Sequence, residues 1–416
     1  MKHIDRLKVS MNDQSVGVLV AETGNKIWFE YDAAWLAEGF DLSPQTLSFS
    51  STAQLAKAPL FDGLHGVFSD SLPDGWGLLL MDRELKRRFD WSRHEITPLD
   101  RLAYIGSRAM GALVYEPEYD PQKLEGEVDL GELAASSERV LKGTTTDVLQ
   151  ALRIQGGSPG GARPKVTVAR SAASAVCLSG FGRLPDGYSH WIVKFRSEDD
   201  VQDMGPLEKA YAEMARLAGI EMPKTEIVEV RQGRIAERFF AVQRFDRGEN
   251  NNRRHVLSLA GFIYANYRQP CIEYETVLQA TAMLTKSMAE VERAFRLMVF
   301  NVLSHNKDDH AKNFAFIGDA TGWKLSPGFD LTFSAGMAGQ HTTAIAGHGN
   351  PGLDEVLSVG NKFHIHRAKQ IVGEVRYAIS QWKPLASSWG VSRKTAQEVH
   401  AALTAIDARF SREPIV

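Results

Sequence analysis

Apolar and polar residues alternate along the first part of the chain, and helical spacing dominates the last part. Val16-Gly17-Val18-Leu19-Val20 and Ile27-Trp28-Phe29-Glu30-Tyr31 flank the turn residues Thr23-Gly24-Asn25, which predicts a β-hairpin. Asp70-Ser71-Leu72-Pro73-Asp74-Gly75-Trp76-Gly77 reads as a helix-initiating turn leading into Leu78 to Arg88. Thr97 to Tyr115 predicts a short helix, a turn at Gly106-Ser107 and the strand Gly111-Ala112-Leu113-Val114-Tyr115. From Glu116 to about Asp147 the chain turns acidic and polar, with Pro117 and Pro121 near its start, and reads as a connecting region with room for one helix.

After a glycine-rich turn beginning at Gly156, Lys165-Val166-Thr167-Val168-Ala169 and His190-Trp191-Ile192-Val193-Lys194-Phe195 form short β-type runs. A helix is predicted over Leu207 to Ala218, with Leu207, Tyr211, Met214 and Ala218 on one face, followed by strands over Thr225 to Val230 and Arg238 to Phe245. From Leu257 helical spacing takes over. Val291, Ala294, Phe295, Met298, Val299, Val302 and Leu303 form an i, i+3, i+4, i+7 stripe, so this helix buries one face and delivers the loop that follows it. A strand-rich part followed by a helix-rich part predicts an α+β fold of two lobes with a cleft between them. The expected units are an N-terminal subdomain over 1–118, a strand-rich lobe over 119–248 and a mainly helical lobe over 249–416.

Composition narrows the function classes. The 416 residues, 44% hydrophobic and 24% charged, suit a soluble globular protein of two or three domains. A net charge of −3 gives no overall basic field to draw the chain to nucleic acid or to an anionic membrane. Cys177 and Cys271 match no metal or redox spacing and fit a reducing compartment. Met1 to Arg6 lacks the apolar core of a signal peptide, and no run of about 18 apolar residues occurs, so a cytoplasmic protein without membrane contact is expected.

The chemistry concentrates after the striped helix. Asp308 stands five positions before Asn313, and Asp330 follows within Phe329-Asp330-Leu331. A phosphotransferase of protein-kinase type needs such a set: one carboxylate to orient the acceptor hydroxyl, and an Asn amide with a second carboxylate to hold Mg²⁺. Taken singly each is an ordinary loop residue. Lys194 sits in an apolar strand on the face opposite Trp191, Val193 and Phe195, where it is either a solvated side chain or a lysine for the α- and β-phosphates of ATP. Glu208, near the start of the next helix, suits its carboxylate partner, and Glu213 on the same helix is the alternative. Gly156-Gly157-Ser158-Pro159-Gly160-Gly161-Ala162-Arg163-Pro164-Lys165 lies upstream of Lys194, where backbone N–H groups at Gly157, Ser158, Gly160 and Gly161 can cover phosphate. It matches neither Gly-x-Gly-x-x-Gly nor the Walker pattern. His341, His348, His364 and His366 lack any metalloprotease-type spacing, which leaves a metal hydrolase without a ligand set.

Together these motifs resemble the HipA-type serine/threonine kinases, the toxins of type II toxin–antitoxin pairs. The resemblance runs over nearly the whole chain: Leu72-Pro73-Asp74, Ile105-Gly106 with Gly111-Ala112, the Ser158 loop with Lys165, Trp191 to Lys194, Glu208 and Arg244-Phe245-Asp246-Arg247. It ends in Asp308-Asp309-His310-Ala311-Lys312-Asn313-Phe314 and Leu325 to Asp330. It implies a bilobal protein-kinase-like fold, ATP and Mg²⁺ as cofactors, and Asp308 as catalytic base. Asn313 and Asp330 are the implied metal ligands. Lys194, Glu208, His310, Lys312 and the loop glycines are the implied nucleotide contacts, and Ser158 the implied site of autophosphorylation. The implied partners are a HipB-like DNA-binding antitoxin, DNA only through that complex, and a protein substrate such as an aminoacyl-tRNA synthetase. Pro159 and the pair Arg163-Pro164 depart from the family's usual loop, so a stiffer loop and slower or absent self-phosphorylation are expected. Two rivals use the same residues: a small-molecule kinase of this fold, and a non-catalytic ATP-binding component of a repressor complex.

Overall fold

Residues 2–411 are described by the computed structural model, apart from 23–25, 58–59, 120–125, 143–151, 153–160, 162, 198–199, 233–234 and 249–250. The first alternating segments pair as expected. Strands β1 (Arg6–Met11), β2 (Gln14–Glu22) and β3 (Lys26–Tyr31) run antiparallel, with Leu19 opposite Phe29 and Val18 opposite Glu30. The turn predicted over Thr23 to Asn25 lies outside the described residues. Strands β4 (Gln54–Leu55) and β5 (Leu113–Glu116) complete a five-stranded sheet in the order β4-β3-β2-β1-β5.

Four helices cover this sheet: α1 (Ala33–Glu38), α2 (Gly66–Ser69), α3 (Gly75–Phe89) and α4 (Pro98–Ile105). Helix α3 starts three residues before the predicted Leu78, directly after Pro73-Asp74. Thr97 and Asp100 close a capping box on α4, with Pro98 in the first turn. The connecting region carries the one helix expected of it, α5 (Leu130–Leu141), capped by Asp129.

The second sheet has the order β7-β6-β8-β10-β9. Its strands are β6 (Lys165–Ser171), β7 (Ser174–Ser179), β8 (Tyr188–Lys194), β9 (Thr225–Gln232) and β10 (Ile235–Gln243), with helix α6 (Met204–Leu217) inserted after β8. Strand β7 was not predicted, because Ser174-Ala175-Val176-Cys177 mixes small and apolar residues without clear alternation.

The last part is not purely helical. Its segment His255–Ser258 (β11) pairs with β13 (Ala315–Asp319), which pairs on its other edge with β14 (Gly322–Leu325) to make a three-stranded sheet, and a short parallel pair joins β12 (Ile272–Glu273) to β15 (Thr343–Ala344). Around them stand α7 (Leu259–Ile263), α8 (Tyr274–Thr285) and α9 (Met288–Leu303). The helices α10 (Leu353–Lys362), α11 (Ala368–Ser380), α12 (Trp382–Ser388) and α13 (Arg393–Phe410) follow. Every residue of the predicted stripe on α9 is buried. No helix among the described residues is long and apolar enough to cross a membrane.

One apolar core runs through Leu7, Phe29 and Tyr115 of the first sheet and on through Tyr211, Phe295, Phe316 and Trp382. A separate cluster joins Trp76 and Leu80 of α3 to Val166, Val168, Trp191 and Val193 of the second sheet. The N-terminal unit therefore packs against both other parts.

A polar staple fixes the same junction. Asp246 is buried and accepts from Arg244 Nε and Nη2 at 2.9 and 2.7 Å, from Arg247 Nη1 at 2.8 Å and from the Gly111 N–H at 2.7 Å. Arg247 also donates to the carbonyls of Gly111 and Ala109 at 2.8 and 3.1 Å. This is the structural use of Arg244-Phe245-Asp246-Arg247 and Gly111-Ala112, which the sequence offers only as motifs. Burial works against ionisation of Asp246, but Arg244, Arg247 and the Gly111 N–H outweigh it and hold the carboxyl well below the ordinary carboxylate range. Its stabilisation is present above the unfolded carboxylate value of about 4 and is lost as pH falls toward the lower folded value. Asp246→Ala, which strands two buried guanidinium groups, is expected to cost about 3–5 kcal/mol. Thermal unfolding checks this, and a melting temperature equal to wild type would contradict it.

Candidate active site

Helix α9 ends in a loop held by buried polar groups. Asn306 Nδ2 donates to Asn301 Oδ1 at 2.9 Å, and Asn301 Nδ2 donates to the Tyr274 hydroxyl at 2.9 Å. That hydroxyl in turn donates to Asp309 Oδ2 at 2.8 Å. His341 Nδ1 lies 2.8 Å from the same oxygen, and the N–H groups of Thr342 and Thr343 donate to Asp309 Oδ1 at 2.8 and 3.2 Å. Asp309 is thus buried and filled with donors. Its neighbour Asp308 is left outside this network, its side chain 61% exposed.

The short helical turn Ala311–Asn313 follows, with the Lys312 N–H donating to His310 Nδ1 at 3.3 Å. His310 Nε2 stands 4.0 Å from Asp308 Oδ1. Asn313 Nδ2 donates to the Asp308 carbonyl at 2.6 Å, which turns its Oδ1 away as an open acceptor. Partial desolvation at the cleft floor raises the Asp308 carboxyl above its ordinary value. Asp330 and Asp309 add to the rise, and His310 and Arg163 oppose it.

Lys194 meets this loop from the other lobe. The register of the second sheet places it opposite Lys165 on β6 and Phe240 on β10. Its ammonium lies 2.8 Å from Glu208 Oε2 on α6 and 2.5 Å from Asp330 Oδ1. Glu213, the alternative partner, instead pairs with Lys209 and Arg216 on the same helix. Burial works against the charge on Lys194, but Asp330 and Glu208 outweigh it and hold the ammonium well above the ordinary lysine range. Lys194 is the main cause that drives Asp330 far below the carboxylate range, Lys165 helping against burial. Asp330 itself sits at φ +56°, a left-handed conformation that Asp tolerates better than most residues.

Between the lobes lies a cavity of about 240 Å³. Ile192, Met222, Phe240, Val242 and Leu331 form apolar walls, and Lys165, Lys194, Glu208, Asn313 and Asp330 converge at one end. Apolar walls with a few convergent charges suit a flat aromatic group carrying phosphates. Among the described residues no hydrogen bond engages Asn313 Oδ1 or Asp330 Oδ2. These two hard oxygen acceptors at the charged end of the cavity fit a divalent cation such as Mg²⁺.

The structure therefore brings together Asn313, Asp330, Lys194, Glu208, His310, Lys312 and Gly161 around one cavity, and sets Asp308 beside it, next to His310. Gly157, Ser158 and Gly160 lie outside the described residues. The four histidines form no site. His341 is spent on Asp309, His348 is exposed, and no group of three metal-capable side chains occurs among the described residues.

Sequence reading missed three participants. Arg163 reaches Glu208 Oε1 at 3.3 Å and Asp200 Oδ1 at 3.0 Å, so Glu208 serves two cations. Asp309 carries no mark that separates it from Asp308. Asp74, in the N-terminal unit, accepts from the Gly161 N–H and faces Lys312 Nζ at 3.3 Å.

Residues 157–402 match the HipA-like C-terminal domain, and residues 7–116 match the HipA N-terminal domain. No curated protein matches the chain. Among solved structures, it is similar to HipA of Shewanella oneidensis MR-1 in a complex of the toxin–antitoxin system HipA, HipB and operator DNA. That likeness has a TM-score of 0.69 at 18% identity, over 97% of this chain and 96% of that one. The Helicobacter pylori proinflammatory kinase CtkA matches with a TM-score of 0.36 at 10% identity, over 53% of this chain and 88% of that one. Two matched domains that together span most of the chain, arranged in the fold of a solved HipA, make this chain a member of the HipA family.

Proposed function

We propose that this chain is an ATP-dependent serine/threonine protein kinase, the toxin of a HipA/HipB-like toxin–antitoxin module. The observation that carries the reading is Lys194 held between Glu208 and Asp330 in a cavity that Asn313 and His310 also line, with Asp308 4.0 Å from His310. Kinases use such a lysine–glutamate pair to set the α- and β-phosphates, and an Asp and an Asn to hold the metal.

Asn313 and Asp330 would hold Mg²⁺, which when bound neutralises phosphate charge and polarises the γ-phosphoryl group. Lys194 and Lys165 offer charge to the α- and β-phosphates, while Ile192, Met222 and Leu331 enclose the base and exclude water. Asp308 accepts the hydroxyl proton of the acceptor as that oxygen bonds to the γ-phosphorus. The bond from γ-phosphorus to the bridging oxygen breaks and ADP leaves. Asp309, fixed by Tyr274 and His341, holds the loop so that Asp308 does not reorganise during transfer.

The same reading takes a protein such as an aminoacyl-tRNA synthetase as acceptor, with translation inhibition as the outcome, a cytoplasmic setting, and Ser158 as a site of autophosphorylation that Pro159 would slow or prevent. The solved Shewanella complex contains HipB and operator DNA, which supports a HipB-like antitoxin as partner here and contact with DNA through it.

Asp308→Asn is expected to lower phosphoryl transfer about 10²–10⁴-fold with little change in nucleotide affinity. Radiolabel from ATP should appear on protein, and chelation of Mg²⁺ should abolish it reversibly. Phosphoproteomics of wild type beside Asp308→Ala names the acceptor and tests Ser158. Equal labelling by the two proteins would defeat the reading, and label confined to a metabolite would favour the small-molecule kinase.

The raised Asp308 carboxyl also sets a pH dependence. The base acts when ionised, so kcat/KM should fall as pH drops through a value above that of a solvent-exposed Asp, about 3.9. A profile flat down to that value would remove Asp308 from the role of base.

A further inference from the structure

We propose that Asp74, contributed by the N-terminal domain, is a positioning residue that fixes the exit of the glycine-rich segment at Gly161 and tethers Lys312 of the opposite lobe. The clamp stands on geometry alone. Its consequence for ATP rests on the kinase reading above.

Asp74 occupies the N-cap position of α3, where an Asp ordinarily accepts from the first N–H groups of its own helix. It makes no such cap bond. One carboxylate oxygen accepts from the Gly161 N–H, and the other lies 3.3 Å from Lys312 Nζ. Two residues later, the Trp76 N–H donates to the Gly161 carbonyl at 3.1 Å. A single turn of the N-terminal domain thus engages both backbone polar groups of Gly161.

Gly161 lies at φ +97°, and a Cβ there would collide with Lys165 Nζ. Only glycine suits that place, and its neighbours gain nothing by holding it unless the backbone position matters. Lys312 is otherwise enclosed, its ammonium 4.4 Å from the Tyr267 ring centroid. Burial opposes the charge on Asp74, but Lys312, the Gly161 N–H and Lys165 outweigh it and hold the carboxyl below its ordinary range, so it stays ionised.

The two partners of Asp74 belong to different lobes. Gly161 leads into β6 of the strand-rich lobe, and Lys312 belongs to the loop after α9. Opening the cleft would separate them, so Asp74 can keep both contacts only while the lobes stay at their present spacing. The N-terminal domain thereby gains direct leverage on the nucleotide cleft.

The test uses the full-length chain as wild type, Asp74→Ala and Asp74→Asn. Site-resolved hydrogen exchange is read at the Gly161 amide and along α3, and steady-state kinetics gives KM for ATP and kcat. Asp74→Ala removes a charge-assisted acceptor, so the Gly161 amide should exchange about tenfold faster while α3 is unchanged. KM for ATP should rise more than kcat falls. Asp74→Asn keeps an acceptor for Gly161 but loses the ion pair with Lys312, so it should fall between the two.

Wild-type exchange at Gly161 in Asp74→Ala would overturn the proposal. So would loss of protection spread along α3, which would make Asp74 a fold determinant only. If Asp74→Ala does not fold, Asp74→Asn decides alone: wild-type KM and wild-type exchange together overturn the proposal. A wild type without any ATP-dependent transfer would refute the kinase reading and leave the exchange result to decide the clamp.

Discussion

One lysine shared by two carboxylates holds the site together. Lys194 belongs to β8 and Glu208 to α6, both in the strand-rich lobe, whereas Asp330 comes from the helix-rich lobe. Burying such charges costs several kcal/mol per ion, and only close pairing offsets that cost. Taken together the charges balance: Lys194, Lys165 and Arg163 stand against Glu208, Asp330 and Asp200. A buried set of this kind contributes little to stability relative to an apolar core of equal volume. Its value lies in fixing where the lobes meet, because Lys194 of one lobe is held to Asp330 of the other.

The N-terminal domain is part of that arrangement. Its core is continuous with the helix-rich lobe, its α3 helix packs on the strand-rich lobe, and Asp246 staples Gly111 to the segment that joins the lobes. Coupling of this sort needs no long pathway. A displacement of the N-terminal sheet has to be absorbed by close-packed side chains, which transmit strain.

Much of this was legible in the sequence, and the limits are instructive. The α9 stripe was clear because seven residues repeat at helical spacing and all of them are buried. Strand β8 was clear because Lys194 alternates with Trp191, Val193 and Phe195, three side chains that lie in the core. The β11–β13–β14 sheet was not, because its strands are short, sit among helices, and β11 meets its partner β13 across some 60 residues of chain. No local period records a partner so far away. Strand β7 failed for the opposite reason, since its exposed Ala175 and Val176 blur the alternation. At the candidate site, the motif residues that the structure describes come together, whereas Arg163, Asp309 and Asp74 carry no local signal of the contacts they make. Asp74 read as the start of a helix, which it is, and its more telling feature is that it leaves its own helix uncapped.

The pair Asp308 and Asp309 shows why spacing alone underdetermines chemistry. The two residues are adjacent and chemically identical, and both lie in the motif. Asp309 is buried, and four donors, from Tyr274, His341, Thr342 and Thr343, occupy its oxygens, so it has no acceptor left for a substrate proton. Asp308 has none of those donors and is more exposed, and partial desolvation, with Asp330 and Asp309 as like charges, raises its affinity for a proton. A base needs both properties: an oxygen that can be reached, and a proton affinity above that of a freely solvated carboxylate. The saturation of Asp309 supplies the first to Asp308 and adds to the second, which desolvation chiefly sets and Asp330 also raises. It anchors the loop so that the neighbouring side chain points outward, and it leaves a negative charge nearby that makes the exposed carboxylate more basic. The proposal that Asp308 is the base therefore rests on the buried partner as much as on the exposed one.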